Sequence, residues 1–178
     1  MKQKWSVLDL ALCAMGAAVL AVCAWITVPI GPVPFTLQTF GIFTVLGTLG
    51  GRRGSVSVGL YLLLGLVGLP VFAGFNGGAG ALLGATGGFL LGFFVGALLY
   101  WLLTSFWKNA WGRLAGMALA LLASYGLGTA WFCLGYFPEV GVAGALAKCV
   151  TPFVAVDLLK MALAWVVTLR LRQYVPEK

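Results

Sequence analysis

Thr151-Pro152-Phe153-Val154-Ala155-Val156-Asp157-Leu158-Leu159-Lys160-Met161-Ala162-Leu163 decides how this chain is read. The stretch is apolar enough for a membrane helix, yet it carries a carboxylate and an ammonium at i and i+3. On a helix those positions share a face, so Asp157 and Lys160 point the same way. An ionisable group at membrane depth costs roughly 2.5–3.5 kcal/mol on insertion scales, so it faces a partner or a cavity rather than lipid. Two readings follow. The pair is either a tether that holds its helix to its neighbours or the polar centre of a binding site.

Composition supports the bilayer. Of 178 residues, 62% are hydrophobic and 8% charged, where a soluble domain carries about 25% charged residues. The 26 glycines and 7 tryptophans suit close helix packing and interfacial anchoring. The net charge of +7 is spread in ones and twos between apolar runs. It reads as a set of topology determinants, and no nucleic-acid partner is expected. Cys13, Cys23, Cys133 and Cys149 show no paired spacing and histidine is absent. No metal site or cofactor is therefore expected, and the thiols read as small buried apolar groups. Leu20-Ala21-Val22-Cys23 loosely resembles a lipoprotein cleavage box, but the apolar run continues through Trp25-Ile26 and further spans follow.

The expected fold class is an all-α integral membrane protein, a single domain over 1–178 with six spans. These run approximately over 8–28, 37–50, 55–70, 82–107, 114–134 and 152–170. In the first, Ala14-x-x-x-Ala18 and Ala17-x-x-x-Ala21 make small-residue faces for close helix approach. Pro29-Ile30-Gly31-Pro32-Val33-Pro34 enforces a stiff extended connection. The second and third spans, separated by Arg52-Arg53, are short for a hydrocarbon core of about 30 Å. Phe72 to Gly80 places four glycines around one amide, Asn76, a pattern that permits positive φ and close backbone approach to a ligand. Gly88-x-x-x-Gly92-x-x-x-Gly96 offers a glycine ridge to a neighbouring helix. Residues 135–148 form an irregular return with a short helix over 142–147, and Pro152 suits the first turn of the last span.

Charge sets the orientation. Taking alternate sides from the N-terminus, one side holds Lys2, Lys4, Arg52, Arg53, Lys108, Arg113, Arg170, Arg172 and Lys178, and the other holds only Lys148. By the positive-inside rule both termini are cytoplasmic. The Pro-rich connection, the Asn76 loop and the entry to the last helix then collect on the outer side. Asp157 and Lys160 lie about 8 and 12 Å into the helix from Pro152. The unusual polar chemistry therefore gathers in the outer half, where a pocket would receive a solute from outside.

Asp157 supplies acceptors, Lys160 donors and Asn76 both. Together they can hold a small head with adjacent N–H and C=O groups, or Lys160 a carboxylate. Thr36 and Gln38 add polar groups nearby in sequence, and Phe35, Phe72, Phe75 and Trp25 are candidate apolar walls. No residue is a catalytic candidate: there is no histidine, no paired-carboxylate site and no Gly-x-Ser-x-Gly turn. No Gly-Lys dipeptide occurs, which excludes a P-loop. An ion-coupled carrier would show inverted halves, and no internal repeat stands out.

The residues also carry a resemblance. Pro32-Val33-Pro34-Phe35-Thr36-Leu37-Gln38, Arg52-Arg53-Gly54, and Gly68-Leu69-Pro70-Val71-Phe72-Ala73-Gly74-Phe75-Asn76-Gly77-Gly78 are three of its stretches. Thr86-Gly87-Gly88-Phe89-Leu90-Leu91-Gly92-Phe93 and Pro152-Phe153 through Asp157-Leu158-Leu159-Lys160 complete them. In order and spacing the chain resembles the BioY family, substrate-binding (S) components of energy-coupling factor (ECF) biotin transporters, over essentially its whole length. Ala85 stands where that family usually has proline, and Phe89 where tyrosine is common.

The resemblance implies an ECF S-component fold of six helices in a prokaryotic cell membrane. It also implies an outward-facing biotin pocket covered by the loop after the first helix. Family binding residues map onto Asn76, Asp157 and Lys160. Biotin suits them: its ureido ring offers N–H groups to Asp157 and a carbonyl to Asn76 or Lys160. The implied partners are a transmembrane coupling protein and two cytoplasmic ATPase subunits, with Ala14 and Ala18 as the docking face. An S component or stand-alone carrier for another vitamin-like solute is the alternative. An intramembrane enzyme using Asp157 and Lys160 as an acid/base pair is a third reading, separated from the others by turnover.

Overall fold

Ser6-x-x-Asp9 starts the first helix. In this computed structural model, which describes residues 5–29 and 33–175, the Ser6 side chain accepts from the Asp9 amide while the Asp9 carboxylate accepts from the Ser6 amide. This reciprocal cap satisfies two orphan donors of the first turn. Lys2, Lys4, Lys178 and the Ile30-Gly31-Pro32 part of the Pro-rich connection lie outside the described residues. Helix α1 (Val7–Trp25) stops short of the expected end at 28. Thr27–Val28 is instead extended and pairs antiparallel with Phe35–Thr36, so the proline-stiffened connection returns as a small hairpin.

Helix α2 (Gln38–Leu66) contains the sharpest feature of the fold. At Gly50 the backbone leaves helical geometry, with φ 80° and ψ 172°, a region that only glycine enters cheaply. The chain reverses there. Gln38 Nε2 donates to Tyr61 Oη at 2.8 Å, and a methyl group placed on Gly54 would meet Leu46 Cα at 3.1 Å. Residues 38–49 and 51–66 thus run antiparallel, roughly 18 and 24 Å long at 1.5 Å per residue. The chain turns at Gly50, and the second helical half takes in Arg52-Arg53, expected to separate spans over 37–50 and 55–70. Arg53 enters the helix because Asp9 of α1 meets it in a buried ion pair, Nε to Oδ1 at 2.8 Å.

After the loop that carries Asn76 come α3 (Ala79–Leu83) and α4 (Gly87–Phe106). The expected span from 82 therefore begins later, because Gly84 is extended and breaks the run. Helix α5 (Ala110–Gly135) starts ahead of the expected 114, at an Asn109 cap that accepts from the Gly112 amide at 2.8 Å. The return expected to be irregular holds a 3-10 turn at Pro138–Val140 and α6 (Gly141–Cys149). Helix α7 (Thr151–Leu171) has its proline in the first turn, as expected.

Packing follows the small residues. The glycine ridge of α4 lies against α5: a Cβ on Gly92 would sit 2.6 Å from Ser124 Cα, and one on Gly96 2.7 Å from the Ala120 carbonyl. Leu20, Ile42, Phe43, Leu46, Tyr61, Tyr100 and Met117 fill the centre between α1, α2, α4 and α5. On α1, Ala17 and Ala21 face this core, whereas Ala14 and Ala18 face outward. Among the described residues, four helical stretches are long and apolar enough to cross a membrane: Val7–Trp25, Gly87–Phe106, Ala110–Gly135 and the run Pro138–Tyr174. Two ends result. At one lie the start of α2, the Asn76 loop, the end of α5 and the start of α7. At the other lie the start of α1, the Gly50 reversal, the end of α4, the start of α5 and the end of α7.

Candidate functional site

Asp157 and Lys160 sit one turn apart on α7, both buried, at 2% and 8% exposure. Lys160 Nζ donates to Asp157 Oδ1 at 2.8 Å. Two hydroxyls from other helices complete the arrangement. Thr39, in the first turn of α2, donates to Asp157 Oδ1 at 2.8 Å and accepts from Lys160 Nζ at 3.2 Å. Tyr125, in the second half of α5, donates to Asp157 Oδ2 at 2.6 Å. The charged pair thus ties three helices together. That accounts for the tether reading without exhausting the polar groups. Lys160 has used two of its three N–H donors, and Asp157 Oδ2 accepts a single bond. One donor and one acceptor position remain, side by side.

Both residues line a cavity of about 450 Å³. Its apolar walls are Phe72, Phe89, Leu90, Phe93 and Phe153, and Val33, Pro34 and Thr36 of the hairpin form one side. Gln38 is buried on the wall, with its amide nitrogen held by Tyr61. The Thr36 hydroxyl accepts from the Gln38 amide at 3.2 Å and fixes the hairpin to the start of α2. A cavity with aromatic walls and a few convergent polar groups is the usual form of a small-molecule site.

Asn76 reaches the rim on a loop locked by its own backbone. Phe72 and Asn76 pair across the turn, the Gly78 amide donates to the Gly65 carbonyl at 2.7 Å, and Gly74 and Gly78 take positive φ. Asn76 Nδ2 donates to the Ala73 carbonyl at 2.8 Å, which turns its side-chain carbonyl to the role of acceptor. Phe75, itself at φ 59°, does not reach the cavity. It is exposed and stacks on Trp25 at 5.1 Å, and the Trp25 indole donates to the Pro70 carbonyl. Phe35 likewise stands behind the wall, stacked on Phe153 with ring centroids 4.1 Å apart.

Of the residues singled out from sequence, Thr36, Gln38, Phe72, Asn76, Asp157 and Lys160 therefore meet at one cavity, and Phe35, Phe75 and Trp25 support it from outside. Thr39, Tyr125 and Phe153 escaped sequence reasoning. Hydroxyls in apolar runs were the available signal for Thr39 and Tyr125, but their partners lie far away in sequence. All four cysteines are buried, and Cys149 lines the cavity.

The BioY family profile matches residues 1–177. The chain is 42% identical over 162 residues to a biotin transporter BioY of Thermotoga maritima, covering 90% of this chain and 94% of that one. It is 36% identical to a probable biotin transporter BioY of Pyrococcus horikoshii, covering 92% and 96%. Its fold superposes with a TM-score of 0.84 on the crystal structure of the S-component for biotin from an ECF-type ABC transporter. There the identity is 30%, with 94% of this chain and 92% of that chain covered.

The site's geometry yields an energetic expectation. Removing one partner of a buried ion pair strands the other and costs about 3–5 kcal/mol, whereas removing both is far milder. Asp157→Asn and Lys160→Met should each lower the unfolding midpoint in detergent. The double variant should recover a large part of the loss. Strictly additive losses would show that the two side chains do not act as a pair.

Proposed function

The chain belongs to the BioY family, and we propose from its site that it is the biotin-binding S component of an ECF-type importer. The observation that carries this reading is the residual polarity of the buried network: one acceptor on Asp157 Oδ2 beside one donor on Lys160 Nζ. The ureido ring of biotin presents an N–H next to a carbonyl, the complement of that pair. Asn76 and Gln38 supply further polar contacts. The fused sulfur ring and aliphatic chain suit walls of Phe72, Phe89, Leu90 and Phe93. Binding without turnover is the activity; Asp157 and Lys160 hold the head group and transfer no proton to it.

Topology follows from the distribution of charge. Helix α1, the two antiparallel halves of α2, α4, α5 and α7 make six spans. Arg52, Arg53, Lys108, Arg113, Arg170 and Arg172 belong to the end opposite the cavity, and Lys148 and Lys160 to the cavity end. The positive-inside rule then assigns the cationic end and both termini to the cytoplasm of a cell membrane, with the cavity opening outward. The hairpin of Thr27–Val28 and Phe35–Thr36 stands over that opening as its cover.

Such a subunit takes its energy from elsewhere. The chain has no Gly-Lys dipeptide and hence no P-loop, which fits association with a transmembrane coupling protein and two cytoplasmic ATPase subunits. Ala14 and Ala18 lie on the outward face of α1, where a partner helix can approach its backbone closely. We assign docking to that face.

Two experiments test these assignments. Isothermal titration of folded Asp157→Asn and Lys160→Ala variants should show biotin affinity weakened roughly 30-fold or more, the scale of losing one partner of a buried charged contact, about 2 kcal/mol upward. Wild-type affinity in both, or displacement of biotin by an unrelated vitamin at equal concentration, would remove the site or its ligand. Separately, Ala14→Trp should abolish uptake by the assembled transporter while leaving biotin binding intact. Normal uptake would take the docking face off α1.

A further inference from the structure

Asp157 and Lys160 by themselves would make an indiscriminate site. A carboxylate has about four lone-pair positions and an ammonium three N–H donors, so a pair bonded only to itself keeps most of that capacity open. Donor-rich heads such as guanidinium, amidinium or primary ammonium would satisfy such a carboxylate best. Two hydroxyls narrow the choice. Thr39 Oγ1 donates to Asp157 Oδ1 at 2.8 Å and accepts from Lys160 Nζ at 3.2 Å. Tyr125 Oη donates to Asp157 Oδ2 at 2.6 Å. Among the described residues these are the side-chain partners of the pair besides each other.

Both hydroxyls are placed to reach across helices. A threonine in mid-helix commonly bonds to the carbonyl four residues back, as Thr104 does to Tyr100 at 2.7 Å. Thr39 is in the first turn of α2, and the residue four back, Phe35, belongs to the hairpin. Its proton is therefore free for Asp157 on α7. The turn is anchored on both sides, since the Gln38 amide donates to Thr36 Oγ1 and Gln38 Nε2 to Tyr61 Oη. The branched Thr39 side chain is itself stiff. Tyr125 is half-buried, with its ring packed against both hydrophobic clusters of the bundle. Thr39, Tyr125, Asp157 and Lys160 all line the same cavity.

The geometry points to Thr39 and Tyr125 as positioning residues that set the ligand specificity of this cavity. By filling the surplus capacity of the pair they leave one acceptor beside one donor, which admits a neutral head with an N–H next to a carbonyl and turns away cationic, donor-rich heads. Granted the biotin reading of the cavity, on which this assignment rests, the two hydroxyls are what makes the site selective for a urea. A guanidinium in the ureido position sets donors against the last Lys160 N–H and finds one open place on Asp157. Opposed like charges and unpaired polar groups are the usual source of strong discrimination. Loss of either hydroxyl reopens an acceptor place on Asp157, and loss of Thr39 also frees a second Lys160 N–H.

The test compares biotin with 2-iminobiotin, whose guanidinium replaces the urea near neutral pH, by isothermal titration of the ligand-stripped full chain in detergent. Wild type should favour biotin by a factor on the order of 100 or more. Thr39→Val and Tyr125→Phe should each narrow that ratio roughly tenfold, the scale of one hydrogen bond to a charged group. Thr39→Ser, which keeps the hydroxyl, should restore it, and Thr39→Ala replaces the valine variant should that one fail to fold. A purely structural loss weakens both ligands in proportion, and a ratio taken on one preparation does not depend on its folded fraction. A wild-type ratio in either variant, with biotin still preferred by the wild type, would overturn the role of that hydroxyl. Failure of the wild type to bind biotin, or equal affinity for the two ligands, would overturn the biotin reading and this assignment with it.

Discussion

Everything at the cavity end depends on keeping one carboxylate and one ammonium ionised where water is scarce. Each charge costs several kcal/mol to bury, and attraction offsets that cost only when the remaining hydrogen-bonding capacity is nearly filled. Asp157 meets the condition with Thr39, Tyr125 and Lys160, which belong to three different helices. The pair is thus a structural clamp, and in the proposed reading it is the recognition element as well. What the clamp leaves unfilled, one donor and one acceptor, is what a ligand can use, and an unliganded site of this kind remains slightly under-satisfied.

A second constraint positions the first. Gly50 turns residues 38–49 and 51–66 back to back, which brings Thr39 and Gln38 to the level of the first turns of α7. The two halves are short, and the hairpin and the Asn76 loop line the cavity beyond their ends. The Phe35–Phe153 stack joins the hairpin to α7, and the Trp25–Phe75 stack joins the end of α1 to the Asn76 loop. Aromatic pairs of this kind add about 0.5–1.5 kcal/mol beyond their buried area, which helps hold both connections against the bundle.

Much of this was legible in the sequence because membrane helices announce themselves by length and apolarity. Asp157 and Lys160 were equally legible, since charge inside such a run is rare. The errors came from reading neighbours in sequence as neighbours in space. Arg52-Arg53 suggested a loop, yet Arg53 went into a helix because Asp9 was there to receive it; the Ser6-x-x-Asp9 cap that placed Asp9 was visible and went unused. Phe35 and Phe75 flank the site in sequence, but each side chain stacks behind a wall. Thr39 and Tyr125 were missed because nothing local marks a hydroxyl whose acceptor lies on another helix.

On the proposed reading, the cavity around Asp157 and Lys160 holds biotin tightly enough to define the protein's role. The most direct measurement is the biotin content of protein expressed in biotin-containing medium, purified in detergent without added ligand, then denatured and quantified by mass spectrometry. Near one biotin per chain in the wild type, and loss of it in Asp157→Asn, is the expected result. A wild-type preparation free of biotin that also fails to take it up on addition would contradict the claim.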